Sequence, residues 1–269
     1  MVPGMHPMLT IAVRAARSAG RVLLRYLEHI DGIAVTSKRL NDFVNEVDHS
    51  AEEAIIRELR GKYPDHAILA EESGEHQGSD FQWVIDPLDG TTNYLHGFPQ
   101  FCVSIALRHR NRLDQAVIYD PLREELFTAS RGRGAQLNGR RLRVANRPSL
   151  EGALVGTGFP YRCYSHVDTY LEMCKVMIRD TAGIRRPGSA ALDIAYVAAG
   201  RLDGFWELGL VERDIAAGAL LVSEAGGTVS DLAGGDRHFE TGNVITGNLK
   251  IHRAMVAKLR PFLSESLKA

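Results

Sequence analysis

Apolar residues at Leu9, Val13, Ala16, Ala19, Leu23, Leu24 and Leu27 return every three or four positions, with arginines between them. This spacing lays one stripe along a helix and predicts a helix over residues 7–30, with Pro7 in the first turn, where its missing N–H costs nothing. A second stripe, Val44, Val47, Ala51, Ala54, Ile55 and Leu59, predicts a helix over about residues 43–62, with Gly61 as its stop. The period then shortens. Brief apolar runs at 67–70 and 82–85 precede an alternating stretch at 101–108, and runs at 114–119 and 125–129 follow. Turns at Pro121, at Gly132/Gly134 and at Asn138-Gly139 separate neighbouring runs closely enough to imply an antiparallel meander.

After residue 150 strands and helices alternate. Strands are expected at 154–157, 184–185, 204–208, 228–230 and 243–246, and helices at 167–178, 189–200, 214–225 and from about 250. The expected fold class is therefore α/β: an α+β half over residues 1–150, two helices on an antiparallel sheet, followed by an α/β half over 151–269. No repeat, low-complexity segment or flexible linker divides the halves, so they are expected to pack as one unit.

The strongest chemical signal is Trp83-Val-Ile-Asp86-Pro-Leu-Asp89-Gly-Thr-Thr-Asn93. A buried strand delivers two carboxylates three positions apart around a proline-stiffened turn. Gly90 frees the backbone, and Thr91 and Thr92 can cap a short helix whose amides face an anion. Carboxylates beside free amides suit a divalent cation bridging protein and phosphate, because Mg²⁺ takes oxygen ligands and keeps positions for water or substrate. An ordinary Asx-Pro turn shares the first three letters, and the chain contains one in Asp120-Pro121-Leu122-Arg123. That copy lacks the second carboxylate and the Gly-Thr-Thr, and reads as a hairpin turn. Two further acidic features, Glu71-Glu72 where a short strand ends and Asp214 at a helix start, read alone as a solvated loop and a helix cap. They gain weight only as scattered carboxylates of one metal site.

The blocks AEESG, WVIDPLDGTTNY, RPGSAALDIAYVAAGRLDGFWELGL and DIAAGALLVSEAGG, in that order, resemble the inositol monophosphatase family, part of a lithium-sensitive phosphatase superfamily. The resemblance runs from about Met5 to the C-terminus and is strongest to bacterial members. It implies a layered αβαβα sandwich and a phosphomonoesterase acting on inositol monophosphate or a similar polyol phosphate through an activated water. It further implies two Mg²⁺ ions per site: one on Glu71, Asp86 and the Leu88 carbonyl, the other on Asp86, Asp89 and Asp214. A third, weaker ion near Glu71 is also implied, with Lys38 and Asp42 in its neighbourhood. Gly90 and Thr91 would hold the phosphate, Glu71 and Thr91 would orient the water, and Asp48 would support the Thr91 hydroxyl. Asp89, Gly188, Ser189, Ala190 and Glu207 would meet the substrate, with Arg185 a further candidate and a subunit contact the competing role for Arg185 and Arg186. A homodimer is implied as well.

One departure stands out. The family pattern reads Pro-Trp-Asp before the Ala-Ala-Gly helix, whereas this chain has Glu212-Arg213-Asp214. Arg213 is expected either to pair with Asp214 and compete with the cation, or to face away, since helix neighbours point about 100° apart.

Composition sharpens this picture in three ways. The chain of 269 residues carries 32 Lys+Arg against 33 Asp+Glu, so no global field draws it to nucleic acid or membrane. Setting aside Glu71, Asp86, Asp89 and Asp214 leaves 32 basic against 29 acidic residues, and six arginines (131, 133, 140, 141, 143, 147) crowd one acid-free hairpin. That hairpin reads as a charged edge that discourages strand-to-strand association, with contact to RNA or the transcription machinery as the alternative, because bacterial relatives serve as antitermination factors. The rival to an enzyme is thus a regulatory factor with weak or vestigial phosphatase activity. Finally, no apolar run approaches the ~20 residues of a membrane span. Three cysteines without metal-ligand spacing suit reduced thiols in the cytoplasm.

Overall fold

The computed structural model describes residues 5–28 and 37–268. Two amphipathic helices open it, α1 (Pro7–Leu27) and α2 (Ser37–Arg60). Lys38 and Asp42 lie outside the residues whose side chains are described. Eight strands follow: β1 (Ala67–Leu69), β2 (Glu75–His76), β3 (Phe81–Asp89), β4 (Cys102–His109), β5 (Arg112–Asp120), β6 (Glu125–Ser130), β7 (Gly134–Leu137) and β8 (Arg140–Arg141). They form one sheet in the order β2-β1-β3-β4-β5-β6-β7-β8. From β3 to β8 it is the expected meander, every pairing antiparallel, while β1 joins β3 in parallel. The Asn138-Gly139 turn between β7 and β8 has positive φ at both residues, as a two-residue hairpin requires.

The second half alternates as its pattern predicts: β9 (Leu154–Thr157), α4 (Val167–Asp180), β10 (Gly183–Arg185), α5 (Ala190–Ala198), β11 (Gly204–Glu207), α6 (Glu212–Glu224), β12 (Thr228–Ser230), β13 (Val244–Gly247) and α8 (Leu249–Leu259). The pattern does not reveal α7 (His238–Thr241) or α9 (Glu265–Lys268), single turns too short to show a period. The five strands are ordered β10-β9-β11-β13-β12 and mix parallel with antiparallel pairs.

Three hydrophobic clusters stack these elements into five layers. Strand alternation sends Trp83, Ile85, Ile105 and Leu107 to the face covered by α1 and α2. It sends Val84, Ala106, Ala116 and Ile118 to the opposite face, where α5 and α6 lie together with Phe205 and Val244 of the second sheet. The far face of that sheet packs Val155, Trp206 and Ile245 against Tyr170 and Met173 of α4 and Ile251 and Met255 of α8. The result is helix pair, sheet, helix pair, sheet, helix pair, the layered α/β sandwich expected. Helices α5 and α6 are apolar nearly all round because sheets cover both of their sides.

Candidate metal and phosphate site

The site begins with a flaw in the β3–β4 ladder. Asp86 pairs with Ser104 and Asp89 with Cys102, so three steps on β3 match two on β4. The extra residue is a β-bulge, and Pro87, which has no N–H to donate, sits within it. In a regular strand Asp86 and Asp89 would face opposite sides; the bulge reverses that parity. Leu88 goes into the core beneath α1 and α2. Both carboxylates turn toward α5 and α6, and Asp214 in the first turn of α6 meets them. Oxygen atoms of Asp86, Asp89 and Asp214 all lie within 4.8 Å of one another; Asp86 and Asp214 are buried and Asp89 is half-buried beside them.

Local bonds fix each acid. Asp86 Oδ1 accepts the Leu88 N–H at 3.1 Å. Asp89 Oδ2 accepts the Ala191 N–H at 2.9 Å and the Ser189 hydroxyl at 2.5 Å, so β3 caps α5 from outside. Asp214 Oδ2 accepts the Val211 N–H at 3.0 Å. Glu52 on α2 accepts the N–H groups of Glu72 and Ser73 at 2.8 and 2.9 Å, holding the turn that carries Glu71. Gly90 follows Asp89 with φ +96°, and a side chain there would press 2.8 Å against the Gln100 carbonyl. Only glycine makes this turn. It leads into α3 (Thr91–Leu95).

A cleft of about 510 Å³ opens over this cluster. Of the expected site residues, Glu71, Asp86, Leu88, Asp89, Gly90, Thr91, Gly188, Ala190, Glu207 and Asp214 line it. Three of the expected residues, or their neighbours, have other local partners in this structure. Ser189 does not line the cleft; its buried hydroxyl is given to Asp89. Arg185, the last residue of β10, is exposed and outside the cleft, its guanidinium turned back to the Ile184 carbonyl, and the next residue, Arg186, lines the cleft instead. Arg186 stacks over Phe159 and Tyr161, 4.8 and 5.2 Å from the ring centroids. Thr91 donates its hydroxyl not to Asp48 but to the Leu88 carbonyl of its own turn, at 3.1 Å. Asp48 stands buried behind the site, with one oxygen lacking a described partner.

Arg213 follows neither expected course. Its Nη2 reaches Glu71 Oε1 at 2.7 Å, while Asp214 is paired with Arg162 at 2.5 Å. The sequence gives no sign of Arg162, which sits among aromatic residues in a connection with no period. The same holds for Phe159 and Tyr161 on the cleft rim. Asn93, the last letter of the acidic block, is a further positioning residue: its amide bonds the carbonyls of Gln100, Pro187 and Gly188.

The donor set is all oxygen, which suits a hard divalent cation such as Mg²⁺ rather than zinc or copper. The electrostatics agree. Burial, reinforced by Asp89, Glu71 and Asp214, holds the Asp86 carboxyl well above the ordinary carboxylate range. Burial, then the charge of Asp214, pushes Asp89 up to about 7. Burial likewise lifts Glu207 to about 8, with Asp89 and Asp214 adding to it, and Asp48 to about 8, with Glu71 and Glu72 adding to that. Buried carboxylates that repel one another are relieved by a cation among them.

Two stacked sheets enclosing a helix pair, with an oxygen-only acidic centre beside a glycine turn, define the class. The chain belongs to the inositol monophosphatase family, whose profile matches residues 4–265. It is 56% identical over 270 residues to the protein called Nus factor SuhB of Pseudomonas aeruginosa, covering 98% of this chain and 100% of that one. Among solved structures it resembles extragenic suppressor protein SuhB from Bartonella henselae, with a TM-score of 0.86 at 44% identity, covering 95% of this chain and 100% of the other. It also resembles the inositol monophosphatase from Anabaena (Nostoc) sp. PCC 7120, with a TM-score of 0.85 at 40% identity over 96% and 97% of the two chains.

The arginine hairpin lies at the far end of the first sheet. Arg131, Arg133, Arg140, Arg141 and Arg143 are exposed there, with β8 as the edge strand. Arg131 bonds the Leu113 carbonyl and Arg147 pairs with Asp203. Glu224 accepts the N–H groups of Gly132 and Gly134 and so pins the turn to α6. Among the described residues, no helix is long and apolar enough to cross a membrane.

Proposed function

We propose that the chain is a Mg²⁺-dependent phosphomonoesterase that hydrolyses inositol monophosphate or a similar small polyol phosphate by direct attack of water. The observation that carries this reading is the convergence of Asp86, Asp89 and Asp214, from two different sheet and helix layers, within 4.8 Å at the floor of one cleft. Asp86, Asp89, Asp214, Glu71 and the Leu88 carbonyl would hold two divalent ions, with a weaker third near Glu71. When bound, such ions acidify a water and neutralise charge on the transferring phosphoryl group. Gly90 and Thr91 bind the phosphate, and Glu71 and Thr91 orient the attacking water with Asp48 behind them. Glu207, Gly188 and Ala190 face the polyol hydroxyls, and Arg186 adds positive charge to the wall. No phosphoenzyme is invoked: Cys102, the cysteine nearest the acids, is buried, and burial pushes its thiol up and away from the reactive thiolate. The same reading has the protein act as a cytoplasmic homodimer.

The test is phosphate release from inositol 1-phosphate with Mg²⁺, with chelator and with Asp86→Asn. Activity that survives the chelator or the substitution rules the mechanism out.

The name of the Pseudomonas relative favours a second role beside this one, contact with the transcription machinery or RNA. The exposed arginine edge is the feature it would use. Replacing Arg133, Arg140 and Arg141 together by alanine should then weaken retention of RNA polymerase or RNA without altering phosphate release; unchanged retention removes the edge from consideration.

A further inference from the structure

Glu71 and Asp214, two of the acids that line the cleft, are each held by a guanidinium group: Arg213 on Glu71 at 2.7 Å and Arg162 on Asp214 at 2.5 Å. The two arginines are not equivalent. The Arg162 side chain is 50% exposed on the cleft rim, so it can leave its carboxylate for water. The Arg213 side chain is only 25% exposed and is rooted in the first turn of α6 beside Asp214. Its contact with Glu71 is also single-pronged, since Nε is buried without a partner. A guanidinium that meets a carboxylate through one nitrogen and leaves another donor unmet is a replaceable counter-ion rather than an optimised pair. The oxygens of Asp86, Asp89 and Asp214 cluster without Glu71. Four carboxylates facing two guanidinium groups need only one divalent ion for neutrality.

We propose that Arg213 is a built-in rival for the cation at Glu71: one divalent ion loads on Asp86, Asp89 and Asp214, and the next binds at Glu71 only by displacing the Arg213 guanidinium. The inference rests on the metal site of the proposed phosphatase reading and adds the order and inequality of loading. Arg213 is thus a residue that sets metal affinity, and its effect is read without catalysis.

The test is calorimetric titration of Mn²⁺, and in parallel Mg²⁺, into the full metal-stripped chain. The wild type should take one ion about tenfold or more tightly than the next. In R213Q and R213M the weaker ion should tighten about tenfold, while the tighter one changes by less than about threefold. In the wild type, the Arg213 side-chain Nε–H resonance, assigned by its loss in R213Q, should shift with the second Mg²⁺ and not the first. This measurement decides the matter even if the variants fold poorly. Equal constants for the two ions in wild type and variants, or a resonance that follows the first ion or neither, overturns the proposal while leaving the metal site intact. No binding by the wild type, with Asp86→Asn indistinguishable from it, overturns the metal reading itself.

Discussion

The Asn93 side-chain amide donates to the Pro187 carbonyl at 2.9 Å, joining two turns ninety-four residues apart. The same amide serves Gly188 at 3.2 Å and Gln100 at 2.8 Å, so the glycine turn after Asp89 and the loop entering α5 are held by one side chain. Asn93→Ala strands these part-buried carbonyls and should cost about 1–3 kcal/mol, read from denaturant unfolding. KM for inositol 1-phosphate should rise while Mn²⁺ affinity stays near wild type. A variant with unchanged KM would confine Asn93 to stability alone.

Asp120 provides the internal control for Asp86. Both begin an Asp-Pro-Leu sequence, but the Asp120 carboxylate is consumed locally: Oδ1 accepts the N–H groups of Leu122 and Arg123 at 3.0 Å each, and Oδ2 pairs with the Arg123 guanidinium at 2.6 Å. Asp120→Ala strands the N–H groups of Leu122 and Arg123, while the half-exposed Arg123 guanidinium can turn to water, and should destabilise the fold by about 1–3 kcal/mol. Its metal affinity should survive, whereas Asp86→Asn should abolish metal binding with little loss of stability. Thermal melts with and without Mg²⁺ separate the two.

The raised site carboxyls should make the stability of the metal-free protein fall as pH rises, against the opposite pull of His66, His238 and His252, which burial holds below the ordinary imidazole value. Asp89 ionises near 7 in the fold against an ordinary 3.8, and Glu207 near 8 against 4.5. Between those limits the folded chain keeps protons that the unfolded chain has shed, so these groups favour unfolding progressively up to pH 7–8 and add nothing further beyond. Asp48, raised from 3.8 to about 8, acts in the same direction. Mg²⁺ bound at the proposed site would displace the protons on these carboxyls, so its stabilising effect should be larger at pH 8 than at pH 6. Calorimetric melts of stripped and Mg²⁺-loaded protein across pH 5–8 check both slopes. A slope that Glu207→Gln and Asp48→Asn leave unchanged over that range would contradict the assignment.

What could be read in advance divides along physical lines. The stripes of α1 and α2, the meander and the α/β alternation were legible because a buried face imposes a period on the residues that fill it. The acidic block was legible because Pro87 and Gly90 punctuate it. Its bulge was not, since the parity of Asp86 and Asp89 depends on how β4 pairs with β3. Nor could spacing show that Arg213 reaches Glu71, 142 residues away, or that Arg162 covers Asp214, because such contacts belong to tertiary packing. The orientations of Ser189 and Arg185 are hidden for a related reason: a residue beside the cleft in sequence faces it only if the local strand or cap turns it that way.

Gly158 and Glu207 supply the last prediction. A methyl group at position 158 would lie 2.1–2.2 Å from the Glu207 carboxylate, a separation no side chains tolerate. Glycine there makes room for a half-buried acid at the end of β11, where both residues line the cleft. Gly158→Ala should therefore cost about 1–3 kcal/mol by overpacking and raise KM by pushing Glu207 out of position. Glu207→Ala removes the obstacle, so the stability cost of Gly158→Ala should largely vanish in that background. The double-mutant cycle of unfolding free energies measures this directly, since residues in contact give non-additive changes and distant ones do not. An additive cycle would mean that the glycine serves the β9 backbone and not the acid beside it.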